Sequence, residues 1–306
     1  MLTTNRNSTP QAAPPTKEAL LAMFVSEQDV NKSSRALYAR TLRQFMNWTD
    51  AKGCTLAEVT PALLVSYKDE LLSHKSSLTA ASYITSVRKF YAWTEAHLFF
   101  PNIARGLKTP KRKQEFRKQS LNPTQAQQLL EAARLRSLRD FALVNLMIRT
   151  GLRCIEVVRA NYEDITVKNG ERILLVQGKG RDEKDNFVIL SDKAYEPLRA
   201  YLASRKRLQA KDALFTNYKA GRMTTRSVYA VVKEALESIG LDGRQYTAHS
   251  LRHTAAVSIL RAGGQLEHAQ AVLRHASPVT TQIYLHTIKE EQRLNTAAEK
   301  LIDTLF

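Results

Sequence analysis

Cysteine is nearly missing from this chain. Cys54 and Cys154 are the only two in 306 residues, and neither has the spacing of a metal cage or a redox pair. A disulfide scaffold is excluded, and a reducing, cytoplasmic setting is expected. Long apolar runs are missing too. None approaches the roughly 18 residues of a membrane span, so no membrane partner is expected. The opening "MLTTNRNSTPQAAPPTKE" lacks the apolar core of a signal peptide, and residues 1–16 read as a flexible arm. No fixed-period repeat is present. Acidic residues are scarce, 29 against 46 Lys and Arg, for a formal net charge of +17. That balance argues for a polyanionic partner, because each phosphate contacted releases condensed counterions. Hydrophobic residues make up 43% and charged residues 25%, enough apolar material for real cores. The length suits two domains.

Residues 17–101 carry a helical pattern. "KEALLAMFVSE" has apolar residues at helical spacing. "SSRALYARTLRQFMNWTDAKG" opens on serines suited to capping and closes at Gly53. "TPALLVSYKDELLSH" starts after Thr60, with Pro61 fitting the first helical position. "LTAASYITSVRKFYAWTEAH" begins near Thr79. Four amphipathic helices with short connections predict a compact bundle. Beside the apolar stripes stand Arg35, Arg40, Arg43, Arg88 and Lys89. Residues 102–123, "NIARGLKTPKRKQEFRKQSLNP", read as a basic inter-domain linker, with Lys111, Arg112 and Lys113 placed to lie on a phosphate backbone. From 124 to 306 a second domain is expected. It is mostly helical around a small antiparallel sheet, whose strands "RILLVQG" and "NFVIL" are joined by the turn "KGRDEKD".

Four stretches of this second domain carry candidate chemistry. In "TGLRCIEV", Gly151 can end a helix and Arg153 begins the next, with Glu156 three residues on to orient the guanidinium. Alone this is a surface ion pair. "GKGR" at 178–181 puts Lys179 at a hairpin tip, where glycines permit close backbone approach; by itself it is an ordinary turn. "TAHSLRHTAA" sets His249 and Arg252 at i and i+3, a phosphate-gripping pair. His253, at i+4 from His249, offers half a metal site but lacks the glutamate of the HExxH pattern and suits a packed or capping role. "LRHASPVTTQIYLH" holds His275 near a helix end and Tyr284 on the next helix, which on its own reads as a core tyrosine.

The four stretches in this order resemble the catalytic domain of the phage integrase family, the tyrosine recombinases. "TGLRCIEV" is similar to the family's first arginine box, "VQGKG" to its hairpin lysine, "HSLRHTAA" to its His-x-x-Arg box, and "LRHASPVTTQIYLH" to its closing box. The helical region, with "SSRALYARTLRQFMNWTD" and "LTAASYITSVRKFYAW", resembles the family's SAM-like core-DNA-binding domain. The likeness spans residues 17 to 306. The chain is short for a further arm-binding domain, so a simple two-domain, Xer-like architecture is expected. One position departs: the family's last box usually reads Leu-Gly-His, and here it is Leu-Arg-His, with Arg274 expected to contact DNA phosphate.

The resemblance implies a site-specific recombinase that cuts and rejoins double-stranded DNA through a 3′-phosphotyrosyl link. It assigns the nonbridging oxygens to Arg153 and Arg252, the nucleophile to Tyr284, and the general base to His249. Lys179 becomes the acid for the leaving 5′ oxygen, His275 a hydrogen-bond donor to phosphate, and Glu156 a support. No ATP, catalytic metal or other cofactor is implied. Two duplexes imply a tetramer on DNA, coupled through the final segment "TAAEKLIDTLF", in the cytoplasm at the nucleoid. Three alternatives stay open from the sequence: a single-strand topoisomerase with the same chemistry, a non-catalytic DNA-binding regulator, and a metal hydrolase using the histidines.

Overall fold

A computed structural model describes residues 15–110, 119–178, 180–275, 277, 281, 282, 284, 285, 288, 289 and 293. The chain divides into two compact units, Met1–Glu115 and Phe116–Phe306. The architecture is mainly α, as the sequence predicts.

Among its described residues the first unit holds four helices: α1 (Lys17–Glu27), α2 (Lys32–Ala51), α3 (Pro61–His74) and α4 (Ser77–Ala96). Each starts on a side chain that accepts a free backbone N–H. Thr16 takes that of Ala19 at 3.2 Å, and Thr60 takes that of Leu63 at 3.3 Å with Pro61 following. The cap of α2 is Asn31, which accepts from Ser34 at 3.0 Å. The serines expected to cap fall inside the first turn, because Asn31 is at least as good a cap and comes first. The core is aromatic. Phe24, Phe45, Tyr67, Phe90 and Tyr91 are buried and meet largely edge to face. At its edge, Trp48 and Trp93 bury their rings and donate indole N–H to Glu70 at 2.9 Å and Glu27 at 2.7 Å. Ala104 and Leu107, within the stretch the sequence assigns to the linker, are buried in this core. Their burial shows that apolar residues, more than charge runs, set where a compact unit ends. The described linker residues beyond them run to 110 and resume at 119; Lys111, Arg112 and Lys113 lie outside the described residues.

The second unit runs α5 (Pro123–Arg136), α6 (Leu138–Thr150), α7 (Cys154–Arg159), a 3-10 turn (Tyr162–Asp164), β1 (Ile165–Lys168), β2 (Glu171–Val176), β3 (Asn186–Ile189), α8 (Asp192–Ala203), α9 (Thr225–Glu237), α10 (Ala248–Arg261) and α11 (Leu266–Leu273). Its centre is α6, buried at every position from Ala142 to Ile148. Polar detail locks α6 to α8. Pro197 lies inside α8 and has no N–H for the Lys193 carbonyl; Asn145 Nδ2 donates to that carbonyl instead, at 2.8 Å. The sheet is antiparallel in the order β1-β2-β3. β1 is a strand that the sequence reading did not place. Its signal was the Asn169-Gly170 pair, both at positive φ (51° and 82°), forming the two-residue turn that joins Lys168 to its partner Glu171. The β2–β3 hairpin carries the 177–185 turn, and residues of that turn line the cleft described next.

Candidate active site

The first box folds as a helix break. Gly151 caps α6 in the left-handed conformation, φ 62°, and a Cβ there would lie 2.8 Å from Cδ2 of Leu273. Glycine is therefore needed twice, for backbone shape and for the close approach of α11. The chain turns out of that break into α7 with Arg153 as the residue before its first turn. Glu156 reaches back to the Arg153 backbone N–H at 2.8 Å and to its guanidinium at 2.7 Å. The side chain of Arg153 is one-third exposed, and that of Glu156 is 1% exposed. The sequence-predicted pair is thus one-sided, with a buried carboxylate presenting a partly open guanidinium.

The second box opens α10, capped by Thr247. His249 faces outward and Arg252 inward. Arg252 is 1% exposed, and donates to the carbonyl of Gly151 at 2.5 Å and to that of Leu273. Its Nε is buried with no partner among the described residues. Burial, with repulsion from Arg153 and Arg274, pushes this guanidinium down to about 9, so it remains a cation at neutral pH.

The third element is the end of α11. Arg274 is its cap, left-handed at φ 53° and ψ 46°. The sequence sets Arg274 among the DNA contacts; its side chain is instead 5% exposed and turns inward. It donates to Glu156 Oε2 at 2.8 Å and to the Val272 carbonyl at 2.6 Å, with longer approaches to Thr150 and Gly151. Glu156 is therefore shared by two arginines. Burial raises its pKa, but Arg274 and then Arg153 outweigh that and hold the carboxyl below its ordinary value.

His275 follows, with Nδ1 2.9 Å from the hydroxyl of Thr281. Burial, then the charges of Arg252 and Arg153, push it down to about 4, so it is neutral at pH 7. Tyr284 lies on the helical residues beyond, 2% exposed, in a small core with Ala256, Val257, Ala269 and Leu273. Its ring is nearly parallel to that of His275, with centroids 6.5 Å apart, and edge-on to His253 at 5.1 Å. His253 in turn meets His249 edge-on at 4.7 Å. Burial raises the Tyr284 phenol, against the pull of Arg252 and Arg153.

A cleft of about 400 Å³ joins these parts to the sheet. Arg153, Glu156, Arg274 and His275 line it on one side, and Gly178, Arg181 and Asp185 of the hairpin on the other. Arg159 at the end of α7 donates to the Gly178 carbonyl at 2.7 Å and fastens the hairpin to the same helix. Lys179 lies outside the described residues. So do most of the closing box's turn and the segment after Arg293. Among the described residues, no three His, Cys, Asp or Glu side chains gather in a metal-binding group.

Sequence reasoning missed two supporting residues. Thr281 orients His275 and stands three residues before Tyr284, a helical spacing that could have marked it. Arg159 has no local signal, since its acceptor is nineteen residues away. The inward turn of Arg274 also depends on distant residues. In the first unit, Arg35, Arg40, Arg43, Arg88 and Lys89 are all exposed. Lys89 lies over the ring of Tyr38 at 5.2 Å, and Arg43 pairs loosely with Glu18 at 3.5 Å.

Arginines, histidines and a tyrosine from three separated boxes thus share one cationic, partly buried site. Such a site can bind an anion's oxygens and stabilise charge that builds on them. Residues 119–291 match the phage integrase family, and residues 18–97 match its N-terminal SAM-like domain. Tyrosine recombinase XerC of Thermodesulfovibrio yellowstonii is 31% identical over 261 residues, covering 81% of this chain and 84% of that protein. Tyrosine recombinase XerD of Lacticaseibacillus casei is 30% identical over 284 residues, covering 87% and 93%. Among solved structures, the XerH site-specific recombinase bound to its palindromic difH substrate superposes with a TM-score of 0.75. It is 22% identical and covers 92% of this chain and 84% of that one, a likeness of fold. With both parts of the family's architecture matched along most of its length, this chain belongs to the phage integrase family of tyrosine recombinases.

Proposed function

We propose that this protein is a site-specific DNA recombinase that cuts and rejoins strands through Tyr284. The observation that carries this reading is the burial of Tyr284 within the field of Arg252 and Arg153, two guanidiniums that lie 99 residues apart in sequence.

A phosphodiester is already anionic, and attack on it builds more charge on the nonbridging oxygens. Arg153, partly open to the cleft, and Arg252, whose buried Nε has no partner among the described residues, bind those oxygens without risk of losing their protons. The Tyr284 oxygen attacks phosphorus as the bond to the 5′ oxygen breaks. The phenolic proton passes to His249, which sits on the outer face of α10 at the end of the His253–Tyr284 ring contacts. The leaving 5′ oxygen takes its proton from Lys179. Bond energy is kept in the 3′-phosphotyrosyl ester, so a 5′ hydroxyl from a partner strand reverses the step without ATP. His275 contributes through its tautomer. When its Nδ1 accepts from the Thr281 hydroxyl, Nε2 carries the proton, and a neutral ring then donates to a phosphate oxygen.

The first unit grips the DNA core through the basic faces of α2 and α4. The linker lies along the backbone through Lys111, Arg112 and Lys113. Joining two duplexes uses four tyrosines and hence four copies of the chain, coupled through the segment "TAAEKLIDTLF". Its working place is the nucleoid. No helix among the described residues is long and apolar enough to cross a membrane.

The experiment is to trap protein–DNA adducts on genomic DNA, sequence the attached ends, and repeat with Tyr284→Phe. Adducts should gather at a short defined site with the parent chain and vanish with the variant, while DNA binding persists. Adducts that survive in Tyr284→Phe, or that scatter without a shared site, would overturn the proposal.

A further inference from the structure

Arg274 occupies a place that suits glycine. The residue is left-handed, at φ 53° and ψ 46°, a conformation that strains any L-residue with a Cβ. An arginine kept at a strained position, with its side chain 5% exposed, calls for a compensating role. Its contacts supply one. Arg274 Nη2 is 2.8 Å from Glu156 Oε2, while Arg153 Nη1 is 2.7 Å from Glu156 Oε1. The two guanidiniums hold opposite oxygens of one buried carboxylate. Arg274 also approaches the carbonyls of Thr150 and Gly151, both at 3.4 Å, and Gly151 O is the acceptor that holds Arg252. One side chain thus ties the closing box to the backbone and the carboxylate of the first box.

We propose that Arg274 is a positioning residue of the strand-cleaving site. It pins the carboxylate that clamps Arg153, and so fixes the guanidinium that meets the scissile phosphate. The inference rests on the recombinase reading. Arg153, one-third exposed, opens to the cleft; Arg274, at its wall with a side chain only 5% exposed, works through Glu156. Three arginines against one glutamate also leave the cluster with two net positive charges, one more than glycine at 274 would leave.

A second consequence concerns pH. The charged and titratable groups facing Glu156 are Arg153 at the start of α7, Arg252 on α10, Arg274 and His275 at the end of α11, and Arg181 and Asp185 across the cleft. Removing Arg274 takes away the strongest of the charges that lower the Glu156 pKa, while its burial persists. The carboxyl then protonates at higher pH and lets go of Arg153. The acid limb of cleavage therefore shifts upward in Arg274→Gly.

The test uses the full chain and a nicked duplex carrying the site recovered from adduct mapping. Arg274→Gly relieves the left-handed strain and should fold. It should form adduct about ten- to a hundredfold more slowly, the scale of a misplaced catalytic group. Its acid limb should lie at higher pH, and its DNA affinity, read in a Tyr284→Phe background, should change less than about threefold. In a Glu156→Gln background, the same change at Arg274 should cost less than about threefold, because the path through Glu156 is already cut. Arg274→Lys, which keeps one charge but not the fork, should fall between and serves if the glycine variant does not fold. Parent-like rates and pH profile in Arg274→Gly overturn the proposal. So do equal losses in both backgrounds, which would mean that Arg274 acts on the phosphate directly. If the parent chain forms no adduct on any DNA, the recombinase reading itself fails, and this inference with it.

Discussion

Gly151→Ala is the most informative single perturbation of the site's scaffold. Two separate penalties meet at that residue. The backbone at φ 62° is left-handed, which costs a residue with a Cβ about 1–2 kcal/mol. The new Cβ would also lie 2.8 Å from Leu273 Cδ2, and Leu273 is fully buried in the small core that holds Tyr284. The leucine cannot swing into solvent, so overpacking adds about 1–3 kcal/mol. Gly170→Ala separates the two penalties. Its φ is 82° but nothing lies within 4 Å of its Cβ position, so it pays the backbone cost alone. Gly106→Ala, with neither a positive φ nor a neighbour, is the neutral control. For a unit of this size each kcal/mol moves the melting temperature by about 2–4 °C. Calorimetry of the full chain should place the second unit's transition about 4–8 °C lower for a 2 kcal/mol loss and proportionally lower for more. Gly170→Ala should show the smaller drop and Gly106→Ala none. Equal melting of Gly151→Ala and Gly170→Ala would refute the close approach of α11 to the α6 terminus.

Two further outcomes follow from particular contacts. Asn145→Ala removes the donor that satisfies the Lys193 carbonyl above Pro197, and should cost about 1–3 kcal/mol in urea denaturation. Adding Pro197→Ala, which restores a backbone N–H, should recover part of that loss; no recovery would show that the asparagine serves something else. His275 is held near 4 in the folded chain against an ordinary 6.5. Between those values the unfolded chain binds more protons, so this histidine's contribution is present above about 6.5 and is lost as pH falls toward 4. Denaturation midpoints at pH 7 and pH 5 should converge more closely in His275→Gln than in the parent, and an unchanged gap would rule out a buried neutral ring. The Tyr284→Phe and Arg274→Gly outcomes stated above complete the set.

Much of the fold was legible because it is locally specified. Thr60 and Pro61 start a helix whatever surrounds them, and Gly151 ends one. The Asn169-Gly170 pair was equally legible and was passed over, so β1 was a missed reading of a local signal, not a hidden one. Alternation and turn chemistry placed β2 and β3. The first unit's true extent was harder to read. Ala104 and Leu107 sit beside basic residues, and only the presence of a core beneath them draws them out of the linker.

The site divides along the same line. Sequence alone determined which residues are available and in what order: Arg153 at a helix start, His249 and Arg252 one turn apart, His275 and Tyr284 across a turn. Those are properties of neighbouring residues, governed by helical spacing and caps. Tertiary structure alone decided what each environment does to its group. Burial makes His275 neutral and raises the Tyr284 phenol, because desolvation depends on what packs against a ring from elsewhere in the chain. The same holds for Arg274. By its neighbours it is a surface charge near a phosphate; by its fold it is an inward guanidinium, because the carboxylate it pairs with is buried and lies 118 positions away.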